Sequence, residues 1–336
     1  MKIRFCLLLF SICFLICGNE LSAQHTFSIV AVDTVTGEVG GAGATCLSLD
    51  REGYQALIIS HLLPGVGALH TQSYWHPVNQ ANGSVKLEEG LQANELLDWL
   101  VVNDAEGNPS IRQYGAAVLG PQSVPSAAGY TGSNCLNSKK HVAGRFYSIQ
   151  GNILIGNYVI DSMEARFLRS TGSLADRLME AMRGAKIPGA DSRCLSEGLS
   201  SRSSFIRVAR PTDLPEEFSL DISVGSVPRG LDPIDSLDTR FAAWKIIQST
   251  LDPKAEKTEF VYKLLVQGRQ IIVESTVDAL VQEMTLFDQT GQAFVLQNKD
   301  SKQNTFVLPD AIKPGTYVAL IKGMDQWSRR KLVIAE

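Results

Sequence analysis

Little in this chain favours a membrane, a metal or a nucleic acid. Beyond residue 23 it has no apolar run approaching the roughly 20 residues that cross a bilayer, so the mature chain should carry no transmembrane segment. The five histidines (His25, His61, His70, His76 and His141) lack the paired spacings that zinc helices and fingers use, and the cysteines stand far apart. No metal and no other cofactor is expected. The net charge of −4 is the wrong sign for a nucleic-acid partner. No G-x-S-x-G frame surrounds the serines of Ser200 to Ser204, and the glycines of Val39 to Ala44 are not followed by the lysine and serine of a phosphate loop.

What is present begins with an export signal. Lys2 and Arg4 precede an apolar run from Phe5 to Cys17 and a polar end at Leu21, Ser22 and Ala23, the order of a secretory signal peptide over residues 1–23. Cleavage after Ala23 would leave Gln24 first. A lipoprotein reading at Cys17 is poorer, because Ile16 stands where a small residue is wanted. Losing Lys2, Arg4 and Glu20, a charge of +1, takes the net charge from −4 to about −5. The signal also carries away Cys6, Cys13 and Cys17, leaving Cys46, Cys135 and Cys194. Three cysteines in an oxidising compartment imply one disulfide and one free thiol. Cys135 with Cys194 is the expected pair, since both stand in polar, loop-like stretches whereas Cys46 ends an apolar strand pattern.

The remaining length suits two domains. Thr26 to Asp33 and Glu38 to Leu49 read as a hairpin around Thr36-Gly37, the second strand being flat and built of small residues. Gly65 to Gln72, Ile111 to Leu119 and Ala143 to Leu154 read as further strands. Gly90 to Asn103 is an amphipathic helix, followed by helices at Tyr158 to Leu168 and Ser173 to Arg183, with Ser173 as N-cap. Strands at Ser204 to Ala209 and Leu220 to Val224 and a helix at Asp235 to Ser249 complete an α+β domain over residues 24–250. A charged, proline-containing linker, residues 251–259, leads to seven short strands within residues 260–336, the pattern of a small all-β sandwich.

Two resemblances add to this. The segment Met284-Thr285-Leu286-Phe287-Asp288-Gln289-Thr290-Gly291-Gln292, then Leu308-Pro309, Pro314-Gly315-Thr316-Tyr317-Val318 and the terminal Arg329-Arg330-Lys331-Leu332-Val333-Ile334 resemble the immunoglobulin-like sorting domain of type IX secretion. That resemblance implies secretion machinery as a partner and a destination outside the cell or on its surface. A generic adhesion or spacer domain is the alternative. The N-terminal domain resembles the domain of unknown function 1028 family, through Thr26-Phe27-Ser28-Ile29-Val30-Ala31-Val32-Asp33 with Thr36-Gly37-Glu38, Gly65-Val66-Gly67-Ala68 to Thr71-Gln72, Ser148-Ile149-Gln150-Gly151-Asn152-Ile153-Leu154 and Gly189-Ala190-Asp191-Ser192-Arg193. This resemblance implies the four-layer αββα sandwich of N-terminal-nucleophile (Ntn) hydrolases. It is compatible with a homodimer.

In Ntn hydrolases the first residue of the mature chain attacks and its own α-amino group is the base. The resemblance puts Thr26 in that place, as nucleophile, although Gln24 and His25 precede it after the expected cut. Gln150, Gly151 and Asn152 form a polar turn whose amides could stabilise an oxyanion, or a strand-ending turn that bonds itself. Asp191 and Arg193 could grip the charged ends of an amino-acid-like substrate, or hold a loop through a salt bridge. His70 and Gln72 share a strand face. His70 is either a group titrating near neutrality or a structural histidine. The function expected is hydrolysis of a small peptide-like or amino-acid-derived amide; the alternative is a non-catalytic secreted binding protein that keeps the fold.

Overall fold

The computed structural model describes residues 26–121, 124–251, 262–275, 281, 283–288, 292–300, 304–322 and 327–334. The expected signal peptide, nearly all of the expected linker and Gln289 to Gly291 of the sorting motif lie outside those residues. The described residues begin with the expected hairpin, β1 (Thr26–Val32) and β2 (Val39–Thr45), paired antiparallel from Thr26↔Thr45 to Val32↔Val39. Gly37, at φ 72°, makes the left-handed turn between them. A short helix α1 (Leu49–Glu52) leads to β3 (Ser60–Leu63) and β4 (Gly67–Gln72), then come helices α2 (Pro77–Glu88) and α3 (Ala93–Val102). Strands β5 (Gln113–Val118), β6 (Ser126–Thr131), β7 (Lys140–Ala143) and β8 (Tyr147–Gly151) follow. Helices α4 (Tyr158–Arg169) and α5 (Leu174–Gly184), strands β9 (Ser203–Ala209) and β10 (Leu220–Val224) and helix α6 (Pro233–Leu251) close the domain.

These strands make two antiparallel sheets, one of six strands in the order β10-β9-β2-β1-β8-β7 and one of four in the order β3-β4-β5-β6. Alternation along each strand decides which side chains meet which layer. From β1, Phe27, Ile29 and Ala31 pack with Phe167, Leu178 and Phe241 of α4, α5 and α6. From the second sheet, Leu69, Tyr114, Ala116 and Val118 pack with Leu87 and Leu96 of α2 and α3. The opposite faces of the sheets meet each other, with Val30, Val32 and Val39 against Leu62, Ala68 and Ala117. Helices thus cover both outer faces and a buried layer lies between the sheets.

The chemistry at the helix ends follows the sequence. Ser173 Oγ accepts from the Asp176 N–H at 3.2 Å while the Ser173 N–H donates to Asp176 Oδ2 at 3.1 Å, a reciprocal cap at the start of α5. Helix α2, together with β3, β6 and β7, is absent from the sequence-based expectation. The buried stripe of α2 is Asn79, Gly83 and Leu87, so the apolar period that announces a helix is missing. Gly83 is needed there, because a Cβ would come within 2.4 Å of Leu69 Cδ2.

The C-terminal region is β-rich: β11 (Tyr262–Gln267), β12 (Gln270–Ser275), β13 (Glu283–Phe287), β14 (Ala293–Asp300), β15 (Thr305–Val307), β16 (Gly315–Lys322) and β17 (Trp327–Ile334). All seven expected strands fall here. They form one antiparallel sheet in the order β11-β12-β15-β14-β13-β16-β17. Its end strands β11 and β17 touch, and Ile271, Met284, Leu286, Phe306, Ala319 and Leu332 share one core.

The disulfide joins Cys46 to Cys194, and Cys135 is free and buried. The expected Cys135–Cys194 pair is therefore corrected. Cys46 lies one residue beyond the end of β2, where the chain turns toward the loop carrying Cys194, and Cys135 Sγ instead donates to the Arg112 carbonyl at 3.1 Å.

Candidate active site

Between the sheets, the valine-lined half gives way to a polar half toward the head of β1. The residues there come from alternate positions of neighbouring strands: Thr26 and Ser28, His70 and Gln72, Gln113, and Ser148 and Gln150, with Asn152 just past β8. All are buried, at 0–1% exposure, so each polar atom needs a partner. The partners form a continuous chain. Ser148 Oγ donates to Gln150 Oε1 at 3.0 Å, Gln150 Nε2 to Ser28 Oγ at 2.7 Å, and Ser28 Oγ to Gln72 Oε1 at 2.6 Å. Gln72 Nε2 then donates to Gln113 Oε1 at 2.8 Å and to the Thr26 carbonyl at 3.0 Å.

Gln113 is the hub. Its Oε1 also accepts from Asn152 Nδ2 at 2.9 Å, and its Nε2 donates to Thr131 Oγ1 and to the Gly151 carbonyl, each at 2.9 Å. One side chain on β5 thereby holds the end of β8 across the gap between sheets. Arg112, beside it, is anchored by Asp104 at 2.8 Å. Burial alone would raise the Asp104 carboxyl, but hydrogen bonds from Arg112, Asn79 and two backbone N–H groups outweigh it and hold its pKa at about 2.

The expected site residues fall into two groups. Thr26, Gln72, Gln150 and Asn152 converge. Asp191 and Arg193 reach the same end by way of Thr45, the register partner of Thr26. Arg193 Nη2 lies 2.7 Å from Asp191 Oδ2 and 3.3 Å from Thr45 Oγ1, and Asp191 Oδ2 also accepts from the Cys46 N–H at 2.8 Å. The carboxylate therefore clamps the loop to the end of β2. Asn152 does not simply bond its own turn, since its amide spans to Gln113.

Gly151 and His70 stand differently. A Cβ on Gly151 would meet Ile160 and Leu154 at 3.0 Å, so the bare face of that glycine looks toward the helix layer. The imidazole of His70 is fully buried, edge-on to Phe205 with centroids 5.4 Å apart. A neutral-range acid or base is not what burial makes of it: desolvation, aided by the charge of Arg207, pulls its pKa from 6.5 down to about 3. The small residues of the flat second strand also serve close packing. A Cβ on Gly41 would sit 2.4 Å from His70 Nε2, so the glycine makes room for that ring.

One hydroxyl of the polar half stands out, and both ring nitrogens of His70 share its lack of a partner. Thr26 Oγ1 is buried and has no hydrogen-bond partner, amid amides that are all engaged. Backbone strain is concentrated nearby: Ser73 (φ 56°) and Ile153 (φ 49°) immediately follow Gln72 and Asn152. A β-branched residue in the left-handed region is costly and is tolerated only where surroundings enforce it. Ser28, Thr45 and Gln113 escaped the sequence reading. The signal for Ser28 was there, in polar residues recurring every second position at 26 and 28 and again at 148, 150 and 152.

The network depends on close approach of the sheets at Gly115. A Cβ there would fall 2.1 Å from Gln150 Oε1, and the amide cannot swing aside without leaving Ser28 and Ser148. Gly115→Ala is expected to destabilise the domain by about 3 kcal/mol, combining overpacking with a stranded buried amide. A denaturation midpoint equal to that of the parent protein would contradict the account.

A family profile, "Family of unknown function (DUF1028)", matches residues 26–236. No curated protein matches the chain. Among solved structures, the crystal structure of protein SPO2555 from Silicibacter pomeroyi, assigned to the same family, superposes with a TM-score of 0.50 at 22% identity, covering 69% of this chain and 91% of that one. That likeness concerns fold. The profile spans more than half of the sequence, and the chain belongs to the DUF1028 family.

Proposed function

We propose that this protein is an exported amidohydrolase of Ntn type, acting on a small peptide-like or amino-acid-derived amide with Thr26 as nucleophile. The observation that carries the reading is the Thr26 hydroxyl, a buried and unpartnered oxygen at the head of the first strand, amid otherwise satisfied amides. Two antiparallel sheets between helical layers support the αββα reading of the fold. Once Thr26 is the first residue, its α-amine takes the hydroxyl proton as Oγ1 attacks the amide carbonyl. Asn152, fixed by Gln113, walls the space where the oxyanion forms, Gln72 spends both amide hydrogens on Gln113 and the Thr26 carbonyl and so positions them, and Arg193 orients a substrate carboxylate from beside Thr45. Gln150 acts at one remove, holding Ser28 and Gln72. Gly151 contributes its carbonyl to Gln113, and His70 packs behind the wall rather than transferring protons.

Export is part of the proposal. The signal peptide delivers the chain to the periplasm and the C-terminal β-rich module addresses it through type IX secretion to the surface or the medium. Mass spectrometry of the N-terminus of the exported protein tests the mechanism. A free Thr26 is expected, and Thr26→Ala should then lower turnover of an amide library by several orders of magnitude, with Thr26→Ser retaining part of it. A mature end at Gln24, free or cyclised to pyroglutamate, sinks the mechanism and leaves the non-catalytic binding protein.

A further inference from the structure

A pocket of about 290 Å³ lies beside the disulfide, past the end of β2. Its apolar wall is Leu199, Val227 and Pro228, and Leu199 packs directly on the Cys46–Cys194 bridge. The walls are tied to one another. The Leu49 N–H donates to the Gly225 carbonyl at 3.0 Å and the Asp50 N–H to Ser226 Oγ at 3.3 Å, which hold the start of α1 against the loop after β10. A Cβ on Gly225 would fall 2.5 Å from Leu49 Cδ1, so this contact also needs that glycine.

Most of the charge around the pocket is spent internally. Glu197 lies 3.6 Å from Arg51 and is bonded to Arg202, and Arg202 also faces Glu52 at 3.7 Å. Two lining charges have no ion-pair partner among the described residues: the Arg229 guanidinium and the Asp50 carboxylate. The Ser48 hydroxyl, 2% exposed, lines the pocket beside the Asp50 carboxylate, which it and Ser226 hold below the usual carboxylate range.

We infer that this pocket binds a free amino acid, its carboxylate on Arg229, its ammonium on Asp50, and a short side chain against Leu199, Val227 and Pro228. One unpaired charge of each sign fits a zwitterion and fits neither a simple anion nor a simple cation. The volume is at the small end for ligand sites and has no room for an oligopeptide. The inference is independent of the Thr26 chemistry, because nothing in this pocket touches Thr26.

Isothermal titration of the full exported chain carrying Thr26→Ala tests it, with L-alanine, L-serine and L-valine as probes beside N-acetyl-L-alanine and L-alanine amide. At least one free amino acid should bind at millimolar concentration or below. Blocking either end should weaken binding about tenfold or more, and Arg229→Gln and Asp50→Asn, both at exposed positions, should each do the same without changing the circular dichroism spectrum. Absence of binding by all three amino acids, or equal affinity for the blocked analogues, would overturn the assignment. Neither result bears on whether Thr26 is a nucleophile.

Discussion

Removing the Cys46–Cys194 disulfide, as the double variant Cys46→Ala with Cys194→Ala, is expected to lower the stability of the N-terminal domain by about 3–5 kcal/mol. The bridge closes a loop of 148 residues, and on the chain-entropy view the unfolded state loses freedom in proportion to the logarithm of that length. The native side adds to the effect. Asp191 accepts from the backbone of Cys46, Leu199 packs on the sulfurs, and Arg193 reaches Thr45 across the same joint. Without the bridge, the Asp191 carboxylate and the backbone bonds from Ser192 to Ile153 and from Asp191 to Ser200 are left to hold the loop. A loss of that size is a large part of the roughly 5–15 kcal/mol that holds a domain together. Denaturant titration should show the fall, and hydrogen exchange should rise first at residues 189–193. Equal unfolding midpoints for the parent and the double variant would refute it. Cys135→Ala should leave the bridge intact and serves as the reference.

The elements that could be read from sequence are those whose burial is apolar. Helix α5 announces itself through Ser173, Asp176 and a stripe of Leu174, Leu178 and Met182, and Leu220–Val224 alternates cleanly. The seven C-terminal strands are separated by turns and keep their order. What was missed is buried by means other than hydrophobicity. Helix α2 turns Asn79 and Gly83 inward, and Asn79 is tied to Asp104 and Tyr114, a three-dimensional reason that no local pattern carries. Strands β6 and β7 are short and half exposed, with Ala127 and Gly129 where a strand signal would want branched residues.

The candidate site was legible in its members more than in its wiring. The sequence points to Thr26, Gln72, Gln150 and Asn152, and the structure brings these four to one end of the space between sheets. Gln113 was not, because a lone glutamine in an ordinary strand acquires meaning only when the opposite sheet supplies Asn152 and Gly151. Cysteine pairing failed for a related reason. Strand character at Cys46 suggested a thiol locked in a ladder, whereas the residue sits just past the last ladder pair, Thr26↔Thr45, free to turn toward Cys194. Local polarity could not decide between three cysteines whose spacing is set by the long return of the chain.

His70 gives the second large effect, and its sign can be derived. Its ring nitrogens have no hydrogen-bond partners, and burial, with Arg207 nearby, lowers its pKa from 6.5 to about 3. In the folded protein it stays neutral while the unfolded chain protonates it below pH 6.5. The unfolded state therefore binds more protons between these values, and stability falls as pH falls. This contribution is fully present above pH 6.5 and is lost at about 1.4 kcal/mol per pH unit on descending toward pH 3. Accumulated over the window, it amounts to several kcal/mol. His61 is shifted in the same direction by its own burial, so the histidine must be isolated by difference. His70→Gln keeps a neutral polar side chain against Gly41 and Phe205 and cannot titrate. Between pH 7 and 4, urea unfolding of parent and variant should show the parent losing stability relative to the variant as the pH drops. Parallel curves across that range would mean that His70 is not the buried neutral group described. That relative loss would also locate acid sensitivity of the domain in the layer between its sheets, beside the polar chain that ends at Thr26.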